Sequence, residues 1–114
     1  MTECLFCRII NREIQATIVY EDGQIVAFND INPQASTHVL VVPRRHIASL
    51  NELTPDDDQI VGEVVRRAAV IAKQRGISTG GYRTVFNTNA DAGQTVFHIH
   101  LHLIGGRQMH WPPG

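Results

Sequence analysis

Near its C-terminus the chain reads His98-Ile99-His100-Leu101-His102-Leu103-Ile104, an alternation of imidazole and aliphatic side chains. Side chains alternate across a β-strand, so this period predicts a strand with His98, His100 and His102 on one face and Ile99, Leu101 and Leu103 in the core. Same-face neighbours on a strand are about 7 Å apart, close enough for the outer two rings to serve a reacting centre placed over the middle one. Gly105-Gly106 is expected to end the strand.

Such a strand needs partners, and the preceding sequence offers them. Cys4 to Ile10 reads as a short apolar turn or helix. Ala16 to Glu21 has the β-branched and aromatic content of a strand, Asp22-Gly23 is a hairpin signal, and Gln24 to Asn29 is the returning strand. Asp30 to Gln34 is a loop that leaves a carboxylate at a strand end. Thr37 to Val42, closed by Pro43, reads as a central strand with His38, Leu40 and Val42 on one face and Val39 and Val41 on the other. Thr54-Pro55-Asp56-Asp57 is a helix start: a hydroxyl N-cap, proline in the first turn, and acids where the helix dipole favours negative charge. Ile60, Val61, Val64, Val65, Ala68, Ala69 and Ala72 follow at helical spacing, with Gly76 as the left-handed stop. Tyr82 to Asn87 is another strand, Asn87 to Thr95 a polar loop, and the tail from Gly106 irregular. The sum is an α+β layered fold around one long amphipathic helix.

The chain's 114 residues suit a single domain, 1–114. Ten basic against eleven acidic side chains give a net charge of −1, with no block of like charge, so nucleic acid and membrane surfaces are not expected partners. Met1 to Cys4 lacks the pattern of a secretory leader and no apolar run reaches the roughly 18 residues of a membrane span, which makes the cytoplasm the expected location. In a reducing compartment the Cys4-x-x-Cys7 pair favours metal binding or redox chemistry over a disulfide.

The histidine strand could be a solvated face, a metal site or a catalytic site. Alternating histidines do bind catalytic zinc, but usually with a further ligand and a group that activates water. The loop Asn87 to Thr95 favours another guest, because Gly93 permits close backbone approach while Gln94, Thr95 and backbone amides can donate to an anion such as a phosphoryl group. A neutral imidazole is a good nucleophile toward phosphorus when a neighbour fixes its tautomer. By position His100 is the better nucleophile, His102 can donate to the phosphate or leaving group, and His98 is turned toward the other end.

His98 to Ile104 followed by Gly105-Gly106 resembles the histidine triad signature, His-φ-His-φ-His-φ-φ with φ apolar. The resemblance extends through Phe28-Asn29-Asp30-Ile31, Pro33 to His38, Pro43-Arg44-Arg45-His46, Ala92-Gly93-Gln94 and the ending Gly105 to Gly114, which is similar to the Hint branch. It implies a HIT-like fold: an antiparallel sheet of about five strands, one long helix and a short N-terminal helix. It further implies a homodimeric hydrolase that splits the P–N bond of purine nucleoside phosphoramidates, and acts on aminoacyl adenylates, with no metal in the chemical step.

Carried onto this chain, the resemblance makes His100 the nucleophile that becomes nucleotidylated, His102 its assistant and His38 an orienting histidine. Asp30 would hold the ribose hydroxyls with Ile31 beside it. Phe6, Ile14, Phe28 and Leu40 would sandwich the purine, and Asn87, Gly93, Gln94 and Thr95 would meet the phosphate and leaving group. Trp111, in the tail 106–114, would reach the dimer partner's pocket. Thr95 stands where serine is frequent, and Asn89 and Ala92 where glycines are common. Some relatives hold structural zinc with such a cysteine pair and two histidines, here Cys4, Cys7, His46 and His98. Two other functions use the same residues: a metal-dependent hydrolase with the triad as ligands, and an AMP-binding regulator without significant catalysis.

Overall fold

The computed structural model describes residues 4–114. Met1 to Glu3, read above as lacking a leader, lie outside the described residues. Helix α1 (Leu5–Ile10) is followed by strands β1 (Ile18–Glu21), β2 (Ile25–Asn29) and β3 (Thr37–Pro43), the long helix α2 (Asp58–Gln74), and strands β4 (Tyr82–Val85) and β5 (Leu101–Gly105). The five strands form one antiparallel sheet in the order β1-β2-β3-β5-β4. This is the α+β fold expected, with β3 at its centre and buried along its whole length.

Side-chain alternation divides the sheet into two chemically different faces. Val39, Val41, Leu101 and Leu103 meet Val64, Ala68, Ile71 and Ala72 of α2 on one side. Phe28, Leu40, Val26 and Val42 meet Phe6 and Ile9 of α1 on the other. The first face is closed by a helix of 17 residues, the second by one of six, so the thinly covered face is where a cavity can open.

Local chemistry explains the connections. Asp22 makes the β1–β2 turn by accepting hydrogen bonds at Oδ1 from the backbone N–H groups of Gln24 and Ile25, at 2.7 and 2.8 Å. Thr54 and Asp57 form the reciprocal capping box that starts α2, after a single 3-10 turn at Pro55–Asp57. Asp57 is buried and also pairs with Arg45.

Four predicted strands are shorter than expected, β2 by Gln24 alone. β1 starts at Ile18 rather than Ala16, and β4 stops at Val85 rather than Asn87. The consequential difference is β5, which starts at Leu101 and not at His98. Its ladder pairs Val41 with Leu101, and two residues further along the register Ile99 would face Pro43. Proline has no N–H to give the ladder. The Ile99 N–H turns instead to the carbonyl of Ile47 at 2.7 Å, and His98 and His100 sit on an extended lead-in to the strand. Gly105, expected beyond the strand, is inside it, paired with Thr37 and Tyr82. Gly106, at φ 97°, makes the turn out.

Candidate active site and metal centre

A cavity of about 340 Å³ lies on the α1 side of the sheet. Phe6, Ile14, Phe28, Leu40, Asp30, Ile31 and Thr95 all line it, so residues from five separate stretches of sequence meet there. Sequence reasoning missed Leu5, Ile9, Gln15, Ala16, Asn29 and Val96, which complete the wall. Ile9 was within reach, since it follows Phe6 at the three-residue spacing of one helix face. Ile31 is almost fully exposed at the rim. Asp30 accepts at Oδ1 from the N–H of Asn32 at 2.8 Å and holds Oδ2 3.4 Å from His38 Nε2. A carboxylate has about four acceptor sites, so capacity remains for a vicinal diol.

The triad histidines occupy three different environments. His100 is buried beside Phe6, their rings edge to face with centroids 4.9 Å apart. Its Nδ1 lies 2.8 Å from the carbonyl oxygen of His98. A carbonyl can only accept, so Nδ1 carries the proton and Nε2 keeps its lone pair. His98 has the opposite tautomer: its Nε2 donates to the carbonyl of Pro43 at 2.7 Å, leaving the Nδ1 lone pair aimed at Cys4, Cys7 and His46. The symmetric service of one centre by His98 and His102, expected from alternation, is therefore absent. His98 faces the cysteines, and only His100 and His102 stand together, with ring centroids 4.9 Å apart.

A second chain of donors reaches His102. The backbone N–H of Gln34 donates to Nδ1 of His38 at 3.0 Å, which places the His38 proton on Nε2. That Nε2 is 2.9 Å from Nδ1 of His102, so His102 accepts there and carries its own proton on Nε2. Burial pushes His102 down to about 4, helped by the neighbouring His100 and His38 and opposed by Asp30. His38, His98 and His100 are likewise lowered, chiefly by burial. All four rings are thus neutral near pH 7, the state required of a nucleophile and of ligands with free lone pairs.

Thr95 is exposed on the cavity wall and Gly93 adopts φ 83°. Gln94 is buried, and its amide is engaged within the protein: Nε2 donates to the carbonyls of Ala48 and Val96, and Oε1 accepts from the N–H of Asn89. These bonds hold the loop in shape. Asn87 is half-buried just beyond β4, and Trp111 is 82% exposed and does not line this chain's cavity.

Cys4, Cys7, His46 and His98 converge, with one ligand atom from each lying within 4.8 Å of all the others. The Sγ to Nδ1 separations are 3.5 Å, from Cys4 to His98 and from Cys7 to both histidines, and the two Nδ1 atoms are 3.3 Å apart. Tetrahedral zinc at ordinary bond lengths would set these edges at about 3.6 Å for N to S and about 3.3 Å for N to N. The set fits zinc, and the His98–Pro43 bond is the outer-shell contact that zinc-binding imidazoles usually make. Asp30, His38 and His102 also cluster. There the 2.9 Å contact is shorter than the about 3.3 Å edge between two zinc-bound nitrogens and fits a hydrogen bond.

The sequence and the fold are similar to those of known proteins. The family described as "Scavenger mRNA decapping enzyme C-term binding" matches residues 3–111. The chain is 47% identical over 107 residues to the purine nucleoside phosphoramidase of Escherichia coli K12, covering 94% of this chain and 90% of that one. It is 49% identical over 112 residues to an uncharacterised HIT-like protein of Synechococcus elongatus, covering 98% and 97%. The solved structure of a HIT family hydrolase from Legionella pneumophila superposes with a TM-score of 0.97 at 54% identity, over 98% of this chain and 100% of that one. The chain belongs to the histidine triad (HIT) family. Within that family it is a hydrolase.

Proposed function

We propose that this hydrolase cleaves the P–N bond of purine nucleoside 5′-phosphoramidates, and the related acyl phosphate bond of aminoacyl adenylates, through a nucleotidyl group carried on His100. The observation that carries the reading is the tautomer of His100, fixed by the His98 carbonyl beside a cavity that contains Asp30. In the first step Nε2 of His100 attacks the α-phosphorus, the P–Nε2 bond forms and the P–N bond to the amine breaks. The amine leaves with a proton, and the Nε2–H of His102 donates to the phosphoryl oxygen or the departing nitrogen. Water then attacks phosphorus, releasing the nucleoside monophosphate and regenerating His100. Asp30 holds the ribose hydroxyls, and Phe6, Ile14, Phe28 and Leu40 enclose the base. Asn87, Gly93 and Thr95 approach the phosphate and leaving group, and His38 orients His102. The E. coli relative's name supports this substrate class.

Adenosine 5′-phosphoramidate is the direct test. AMP release by the wild-type chain is expected, and a 5′-nucleotidyl adduct should accumulate transiently on His100. A His100→Ala protein that turns over at the wild-type rate would sink the mechanism. A metal-dependent hydrolysis through the triad instead predicts complete loss of activity on chelation.

The same reading includes structural zinc on Cys4, Cys7, His46 and His98, tying the N-terminus to the triad segment. Elemental analysis should find stoichiometric zinc, lost in Cys4→Ser/Cys7→Ser. It also includes a homodimer. Val65 is an exposed apolar residue of α2, β4 is an edge strand, and Trp111 stands out in a tail held by Arg83 Nη2 donating to the His110 carbonyl at 2.8 Å. Light scattering should give twice the chain mass. No helix among the described residues is long and apolar enough to cross a membrane, and a cytoplasmic location is part of the same reading.

A further inference from the structure

We infer that the zinc centre is thermodynamically linked to the nucleotide cavity, and that Phe6 is the positioning residue which carries the linkage. This rests on the zinc reading above and goes beyond it, because a purely structural metal would stabilise the fold without altering nucleotide affinity.

Helix α1 has only six residues, below the length at which a helix holds itself together in water. Its two faces do different things. Cys4 and Cys7, three residues apart, face His46 and His98, and Cys4 Sγ also accepts the N–H of Cys7 at 3.4 Å as the helix cap. Phe6 and Ile9, also three apart, are buried as part of the cavity wall, with Leu5 beside them. Fixing the cysteine face therefore fixes the wall.

Phe6 sits where the two sites meet. Its ring lies edge to face with His100 at 4.9 Å, with Phe28 at 5.4 Å and with His98 at 6.1 Å. One neighbour is the attacking ring, one belongs to the base pocket and one is a zinc ligand. A parallel route runs through His98 itself, whose imidazole faces the cysteines while its carbonyl holds His100 Nδ1–H. Zinc thus docks α1, completes the wall and steadies the segment from which His100 projects. Whatever zinc does for nucleotide affinity, nucleotide must do for zinc affinity by the same factor.

The test uses the full-length reduced protein, zinc-loaded and chelator-stripped, with AMP as ligand. Calorimetry should show AMP binding about tenfold weaker in the stripped protein, which circular dichroism should find still folded. Competition with a chromogenic chelator should show zinc held tighter by the same factor when AMP is saturating. Phe6→Leu should keep stoichiometric zinc while the coupling falls below about threefold. Stoichiometric zinc with equal AMP affinity in both forms would overturn the linkage and leave the zinc reading standing. Absence of bound zinc would overturn both. A stripped chain that is unfolded, or a Phe6→Leu protein with undiminished coupling, would also overturn the local linkage.

Discussion

The carbonyl of His98 accepts the Nδ1–H of His100 at 2.8 Å, so the backbone of one triad histidine sets the proton position of the next. His100 is consequently presented with Nε2 unprotonated and, being pushed down by burial, stays so through the neutral range. His100→Gln keeps a polar side chain of similar reach but has no nucleophilic lone pair of this kind. Its kcat should fall by at least about 10³-fold, with the melting temperature little changed. Steady-state rates on adenosine 5′-phosphoramidate beside a thermal melt would check both.

His38 stands one bond further out. It takes a hydrogen bond from the Gln34 N–H and passes one to His102. His38→Ala removes the partner that places the His102 proton on Nε2, and kcat should fall about 10²-fold while AMP affinity changes little. An equal loss in binding and turnover would mean that His38 acts as a wall of the pocket and not as an orienter.

Acid should destabilise the fold through His102. The unfolded chain takes up a proton at this position near the ordinary 6.5, whereas the native ring, depressed by burial and by its histidine neighbours, does so only near 4. Native stability is therefore full above about pH 6.5 and declines as pH falls toward 4; because the ring is only partly buried, solvent screening holds its share to about 1–2 kcal/mol. His38, His98 and His100 are shifted in the same direction and add to it. Urea unfolding at pH 7 and pH 5 should differ by about 1 kcal/mol or more, and His102→Phe should reduce the difference.

Asn89 has φ 64° and ψ −173°, a region populated almost exclusively by glycine. It is held there by Gln94, whose Oε1 accepts the Asn89 N–H at 2.8 Å while the Gln94 N–H returns a bond to the Asn89 carbonyl at 3.1 Å. Removing the Cβ relieves the strain and costs some unfolded-state entropy, so Asn89→Gly should stabilise the chain by about 1 kcal/mol. Chemical denaturation would measure it, and a destabilised variant would contradict the strain.

Much of this molecule was legible in its sequence because the signals were local. The helix start at Thr54 rests on a cap three residues long, the turn at Asp22 on one carboxylate and two amides, and the central position of β3 on apolar residues facing both ways. The resemblance to the HIT family likewise drew together residues that line one cavity, among them Phe6, Phe28, Asp30 and Thr95.

What alternation determined was that the three histidines differ in side from Ile99, Leu101 and Leu103, which are all buried. It could not determine that they would differ from one another. Pro43, more than fifty residues away and unable to donate, stops the ladder before Ile99, and its carbonyl then takes the His98 Nε2–H. That single contact turns Nδ1 of His98 to the cysteines, and the His98 carbonyl leaves Nε2 of His100 unprotonated. The choice between two ring nitrogens depends on which acceptor lies within about 3 Å, and only the folded chain fixes that distance.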